Sequence, residues 1–65
     1  MSNRAELSAL ATSLTDLVSR IGEISADLTG AERDRIGQEL FEVERTLTTA
    51  QRRLARVLES FPSPN

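Results

Sequence analysis

Apolar residues recur along this chain in alternating steps of three and four. The first run is Leu7, Leu10, Leu14, Leu17, Ile21, Ile24 and Leu28. It is an unbroken heptad repeat, with Leu7, Leu14, Ile21 and Leu28 at position a and Leu10, Leu17 and Ile24 at d. The second run is Ile36, Leu40, Val43, Leu47, Ala50, Leu54, Val57 and Phe61, with Leu40, Leu47, Leu54 and Phe61 at a. No proline interrupts either run. The pattern predicts helices over 3–28 and 30–60, each about 40 Å long at 1.5 Å per residue, with a turn over 28–30.

Local signals mark the same boundaries. Thr29-Gly30-Ala31-Glu32 has the form of a capping box, in which the Thr29 hydroxyl accepts from a free N–H and Glu32 reaches back. Gly30 weakens helical continuity there. Asn3-Arg4-Ala5-Glu6 repeats the form at the first helix start, with Ser2 as a rival cap. Pro62 and Pro64 stop the second helix and predict a disordered tail over 62–65. One continuous helix is the competing arrangement. It places Arg33 at an a position and demands a change of phase between Leu28 and Ile36. The expected fold is therefore all-α: an antiparallel two-helix hairpin, coiled-coil-like, in a single domain.

The two frames are mutually compatible. Setting Leu28 against Ile36 brings Ile24 to Leu40, Ile21 to Val43, Leu17 to Leu47, Leu14 to Ala50, Leu10 to Leu54 and Leu7 to Val57. Both a/d seams then close without a polar residue. A slipped register stays open, since a tight turn favours a closer pairing. The flanks differ in character. The e/b side of the first helix carries Ser8, Ala11, Thr15, Val18, Gly22 and Ser25. That of the second carries Gly37, Phe41, Glu44, Thr48, Gln51, Ala55 and Leu58. The g/c side is charged, with Glu6, Asp16, Arg20, Glu23, Asp27, Glu39, Glu42, Arg53 and Arg56. The e/b side is thus the expected docking face, through Ala11, Thr15, Val18, Gly22, Phe41, Glu44, Thr48, Ala55 and Leu58. Covering Val18, Phe41 and Leu58 contributes about 1.5–3 kcal/mol each. Two copies meeting through it make a four-helix bundle; a different helical protein is the alternative partner. Val18→Glu or Phe41→Glu is expected to give a monomer or an unfolded chain.

Size makes association necessary. A domain of 65 residues buries too little surface to be comfortably stable alone, and the usual remedies are disulfides, a metal or oligomerisation. The chain has no Cys and no His, which removes disulfides and the common zinc and copper ligand sets. A net charge of -2 gives no global attraction to nucleic acid or membranes. No apolar run approaches the roughly 20 residues of a membrane span. The N-terminus lacks a basic segment followed by an apolar one, so a signal peptide is not expected and a cytoplasmic location is. All eight basic residues are Arg, a usage that points to a GC-rich bacterial genome.

The chemistry is sparse. Without His, Cys, Lys or Tyr, no base stands ready beside the many Ser and Thr hydroxyls. Pairs such as Glu39 with Glu42, or Glu42 with Glu44, read as ordinary exposed helix faces. Gly22, Gly30 and Gly37 are scattered and form no phosphate loop, and no calcium-loop spacing appears. An enzyme, a cofactor and a metal are not expected. Arg45, Arg52, Arg53 and Arg56 form a basic cluster late in the second helix, and arginine suits phosphate. The same helix is acidic early and basic late, as its dipole favours. Aromatics for base stacking are limited to Phe41 and Phe61.

In length, turn position and heptads the chain resembles in architecture the Rop proteins, plasmid RNA-binding dimers of helical hairpins. Rop presents its RNA-binding side chains on its first helices. Here the first helix carries only Arg4 and Arg20 as basic residues, so no functional residue is carried over. The expected function is a non-catalytic assembly module, homodimeric or docked on a helical partner, acting as a regulator or adaptor. The alternative is a small nucleic-acid-binding regulator using the arginine cluster.

Overall fold

The computed structural model describes residues 2–62. They form two helices and are otherwise turn or extended chain. The first, α1, spans Asn3–Asp27. Ser2 is its N-cap: its hydroxyl oxygen accepts from the Ala5 N–H at 3.1 Å. Leu28 then turns extended, with its N–H donating to the Ser25 carbonyl at 3.3 Å. The second helical run is continuous in chain but not in pitch. It comprises α2, Gly30–Glu32; a π-helical segment, Arg33–Gly37; and α3, Gln38–Ser60. Pro62 lies exposed beyond its end. The remainder of the expected tail, 63–65, is outside the described residues.

The turn differs from the expected capping box. Thr29 stands at the cap position, but its side chain makes no cap hydrogen bond. Its carbonyl instead accepts from the N–H groups of Glu32 at 3.2 Å and Arg33 at 3.4 Å. Gly30 supplies the reason. Its φ of 53° lies in the left-handed region, where a Cβ is penalised and glycine is not. The chain therefore reverses at Gly30, and the regular entry geometry that would aim the Thr29 hydroxyl at a first-turn N–H is not adopted.

The helices lie side by side in a body of 54 × 16 × 12 Å. Gln51 Nε2 donates to Thr15 Oγ1 at 3.0 Å. The Glu44 carboxylate sits 3.4 Å from where a Cβ on Gly22 would stand. Between these two contacts α1 advances from 15 to 22 while α3 retreats from 51 to 44, so the helices run in opposite senses. The expected register set Thr15 by Thr49 and Gly22 by Glu42. The observed partners lie two positions further along α3. Every residue from 29 to 36 is exposed.

The seam between the helices is also rotated from expectation. Leu7, Ala11, Leu14, Val18, Ile21 and Ser25 are half-buried on α1, ending in Leu28 at 8% exposure. Facing them are Gly37, Leu40, Glu44, Leu47, Gln51, Leu54, Leu58 and Phe61, half-buried in the second run. These are a and e positions, not a and d. Helix axes approach to a distance set by the side chains between them. The small Ala11, Val18 and Ser25 at e admit a close approach, and the longer Glu44, Gln51 and Leu58 lie across them. Turning Leu10, Leu17 and Ile24 inward would hold the axes further apart.

Candidate functional site

With a and e engaged, the d residues are left over. Leu10, Leu17 and Ile24 on α1, Ile36 in the π segment, and Val43 and Val57 on α3 are each between 44% and 58% exposed. In helices of opposite sense that share an a/e seam, both d rows fall on the same side. They form two parallel apolar rows, with the half-buried a residues showing between them. Leu28 is the single buried hydrophobic residue among those described. Seven of the fifteen heptad residues are thus exposed, and contiguous exposed apolar surface marks an interaction site.

The residues expected to dock lie elsewhere. Ala11, Val18, Gly22, Glu44, Thr48 and Leu58 are half-buried within the chain itself. Thr15 is exposed but accepts the Gln51 hydrogen bond across the helices. Thr48 donates to the Glu44 carbonyl at 2.8 Å within α3. Phe41 and Ala55 are exposed on the flank opposite the d rows. The e/b side is therefore largely the chain's own contact. Glu44, the charge that a docking partner was expected to accommodate, lies half-buried with its carboxylate against Gly22 of its own chain. Sequence reasoning had the six exposed d residues in hand but assigned them to the internal seam.

The charged rim runs beside the d rows. On α3, Glu39 and Glu42 lie toward the turn, and Arg53 and Arg56 toward the far end. Arg45 meets Glu42 at 3.9 Å and Arg20 meets Asp16 at 3.7 Å, both on exposed helix surface, where such pairs contribute little. Arg53 and Arg56 have no carboxylate within ion-pair distance among the described residues. Arg45 and Arg52 share a shallow open hollow with Phe41 and Thr48, while Arg53 and Arg56 lie on the other side of the helix. The expected cluster is thus divided between two faces. A hollow of about 460 Å³, open to solvent, lies at the turn between Ser25, Leu28, Arg33 and Phe41. No group of His, Cys, Asp or Glu among the described residues is arranged to hold a metal ion. Among the described residues no helix is long and apolar enough to cross a membrane.

Comparison with protein-family models, curated proteins and solved structures finds no match to this chain.

Proposed function

We propose that this chain is a non-catalytic assembly module: an antiparallel helical hairpin that pairs with a second copy through its d rows, closing a four-helix bundle that serves as a regulator or adaptor. The observation that carries the reading is the pair of exposed rows, Leu10, Leu17 and Ile24 beside Ile36, Val43 and Val57, with one buried hydrophobic residue among those described. Four-helix bundles use a and d as core positions. Here a and e hold each hairpin together, and d is free to meet another. An isologous pairing is the commonest way to cover such a face. Sedimentation equilibrium at micromolar concentration tests this. A dimer mass, reduced to monomer by Leu17→Glu with Val43→Glu, supports it; a monomer mass in the unmodified chain at millimolar concentration overturns it.

A second reading rests on the hollow where Phe41 lies beside Arg45 and Arg52, since an aromatic between guanidinium groups can receive a base and its phosphates. A salt-sensitive mobility shift with RNA or DNA, lost in Arg45→Glu with Arg52→Glu, would favour a nucleic-acid-binding regulator.

A further inference from the structure

We infer that the hairpin has a second closed packing, in which both helices turn their d rows inward, so that each helix of a lone chain competes with a partner for the other's apolar row. The inference rests on the d-row reading above and adds its regulation. The a/e packing presents the rows to a partner, and the a/d packing withholds them.

The chain carries a complete cover for its own rows. With Leu17 set by Leu47, Leu14 by Ala50 and Leu10 by Leu54, an a/d seam meets no polar residue at any layer. The a/e seam instead holds Glu44 and Gln51 half-buried and leaves Leu10 at 56%, Leu17 at 52% and Ile24 at 58% exposure. In a chain without a partner, exchanging e for d covers Leu, Ile and Val side chains and returns Glu44 and Gln51 to water. Both changes are favourable. Little polar contact opposes them. The Gln51 to Thr15 hydrogen bond is exposed, and such a bond is exchanged for water at small net cost. Both ion pairs among the described residues lie within a single helix and do not tie the two together.

The connection also has rotation to give. Positions d and e are neighbours in sequence, about 100° apart around the helix, with a between them, so exchanging one for the other turns each helix by about 50°. The two registers differ by two positions, a slide of about 3 Å. Between the helices lies the π-helical segment Arg33–Gly37, whose turns hold one residue more than α-helical turns. Relaxing it to α-helix releases rotation of the required size. Every residue from 29 to 36 is exposed, so no packing fixes this segment in its present form. Two packings of one sequence, joined by a segment of undetermined phase, make a bistable element whose balance a partner shifts by binding only one of them.

Hydroxyl-radical footprinting of the unmodified chain, above and below the concentration at which sedimentation shows it to dissociate, reads the packing directly. In the dimer the d rows are covered by the partner and the e residues by their own chain. On dilution, Val18 and Leu58 at e are expected to gain about twofold in reactivity, as half-buried side chains become exposed, while Leu17 and Ile24 at d stay protected. The opposite result, with Leu17 and Ile24 gaining and Val18 and Leu58 unchanged, overturns the second packing and leaves the dimer intact. A monomer mass at every concentration overturns the dimer; protected d residues in that monomer would still support the second packing, and reactive ones would overturn both. A covalent lock checks the competition. In the a/e packing Leu14 is half-buried in the seam while Ala50 is exposed with the d row, so cysteines at these positions point apart and resist bridging. In Leu14→Cys with Ala50→Cys, a disulfide is expected to close within one chain in a glutathione redox buffer, and the oxidised chain, its helicity retained by circular dichroism, is expected to stay monomeric where the reduced chain dimerises. Failure of the bridge to form, or equal dimerisation of both forms, would refute the inference.

Discussion

Truncating Leu17 to alanine separates the d-row interface from every alternative surface. Leu17 is 52% exposed in the single chain. Full burial of a leucine side chain is worth about 1.5–3 kcal/mol, so covering the exposed half supplies about 0.75–1.5 kcal/mol per copy. Two copies double that to about 1.5–3 kcal/mol per dimer, before any cavity left behind adds to the loss. Since each 1.4 kcal/mol is tenfold in affinity, the dimer dissociation constant should rise about 10- to 100-fold. Phe41 supplies the control. It is 56% exposed, almost the same, but lies on the opposite flank, so Phe41→Ala should move the constant by less than about threefold. Sedimentation equilibrium over a concentration series measures both. If Phe41→Ala weakens association as much as Leu17→Ala, the e/b flank is the interface and the seam is not the one described. If neither does, association does not use these faces.

Four other perturbations follow from particular contacts. Gly30→Ala places a Cβ at φ 53° and should cost about 1–2 kcal/mol in urea unfolding; no loss would mean that the turn is not left-handed. Gly22→Ala adds a Cβ 3.4 Å from the movable end of Glu44, an ordinary contact, so the helix-propensity gain of about 0.5–1 kcal/mol should appear as stabilisation; a large loss would show that another backbone must approach there. Ser2→Ala removes the hydroxyl that accepts from Ala5 and should lower stability by about 0.5–1 kcal/mol, seen as reduced helicity at the start of α1 by amide exchange. Because binding to a second copy stabilises the folded form by mass action, the thermal midpoint should rise with chain concentration between 5 and about 500 µM; a midpoint independent of concentration argues for a self-sufficient monomer.

The two heptad runs and the break between them were legible because each a residue is apolar and no proline intervenes. The rotation of the seam was not. In each run a lies between d and e, so an a/d repeat is compatible with a hairpin closed through either neighbour. The deciding quantity is how closely two backbones can approach, which depends on which small side chains meet which long ones, as Thr15 meets Gln51 and Gly22 meets Glu44 across the pair. That matching appears only once the register is known. The π segment was invisible for a simpler reason. Between Leu28 and Ile36 the sole apolar side chain is Ala31, so no hydrophobic position fixes the number of residues per turn. The π turn falls where the sequence leaves phase undetermined.

The rotation also explains why the sequence looks overprovided. A two-stranded seam needs two apolar positions per heptad. This chain uses a and the small or amphipathic e residues for that purpose and retains a third, d, with full-sized Leu, Ile and Val. Maintaining such residues on a solvated face would lower solubility without adding to the hairpin. Their placement makes sense if the seam within a copy and the seam between copies share the a residues as a common layer. In the proposed bundle the e side can tolerate Glu44 and Gln51, because it would close against its own chain at the edge. The d side could not, because it would become the centre. A charge at Leu17 or Val43 should therefore be far more damaging to association than the native charge at Glu44.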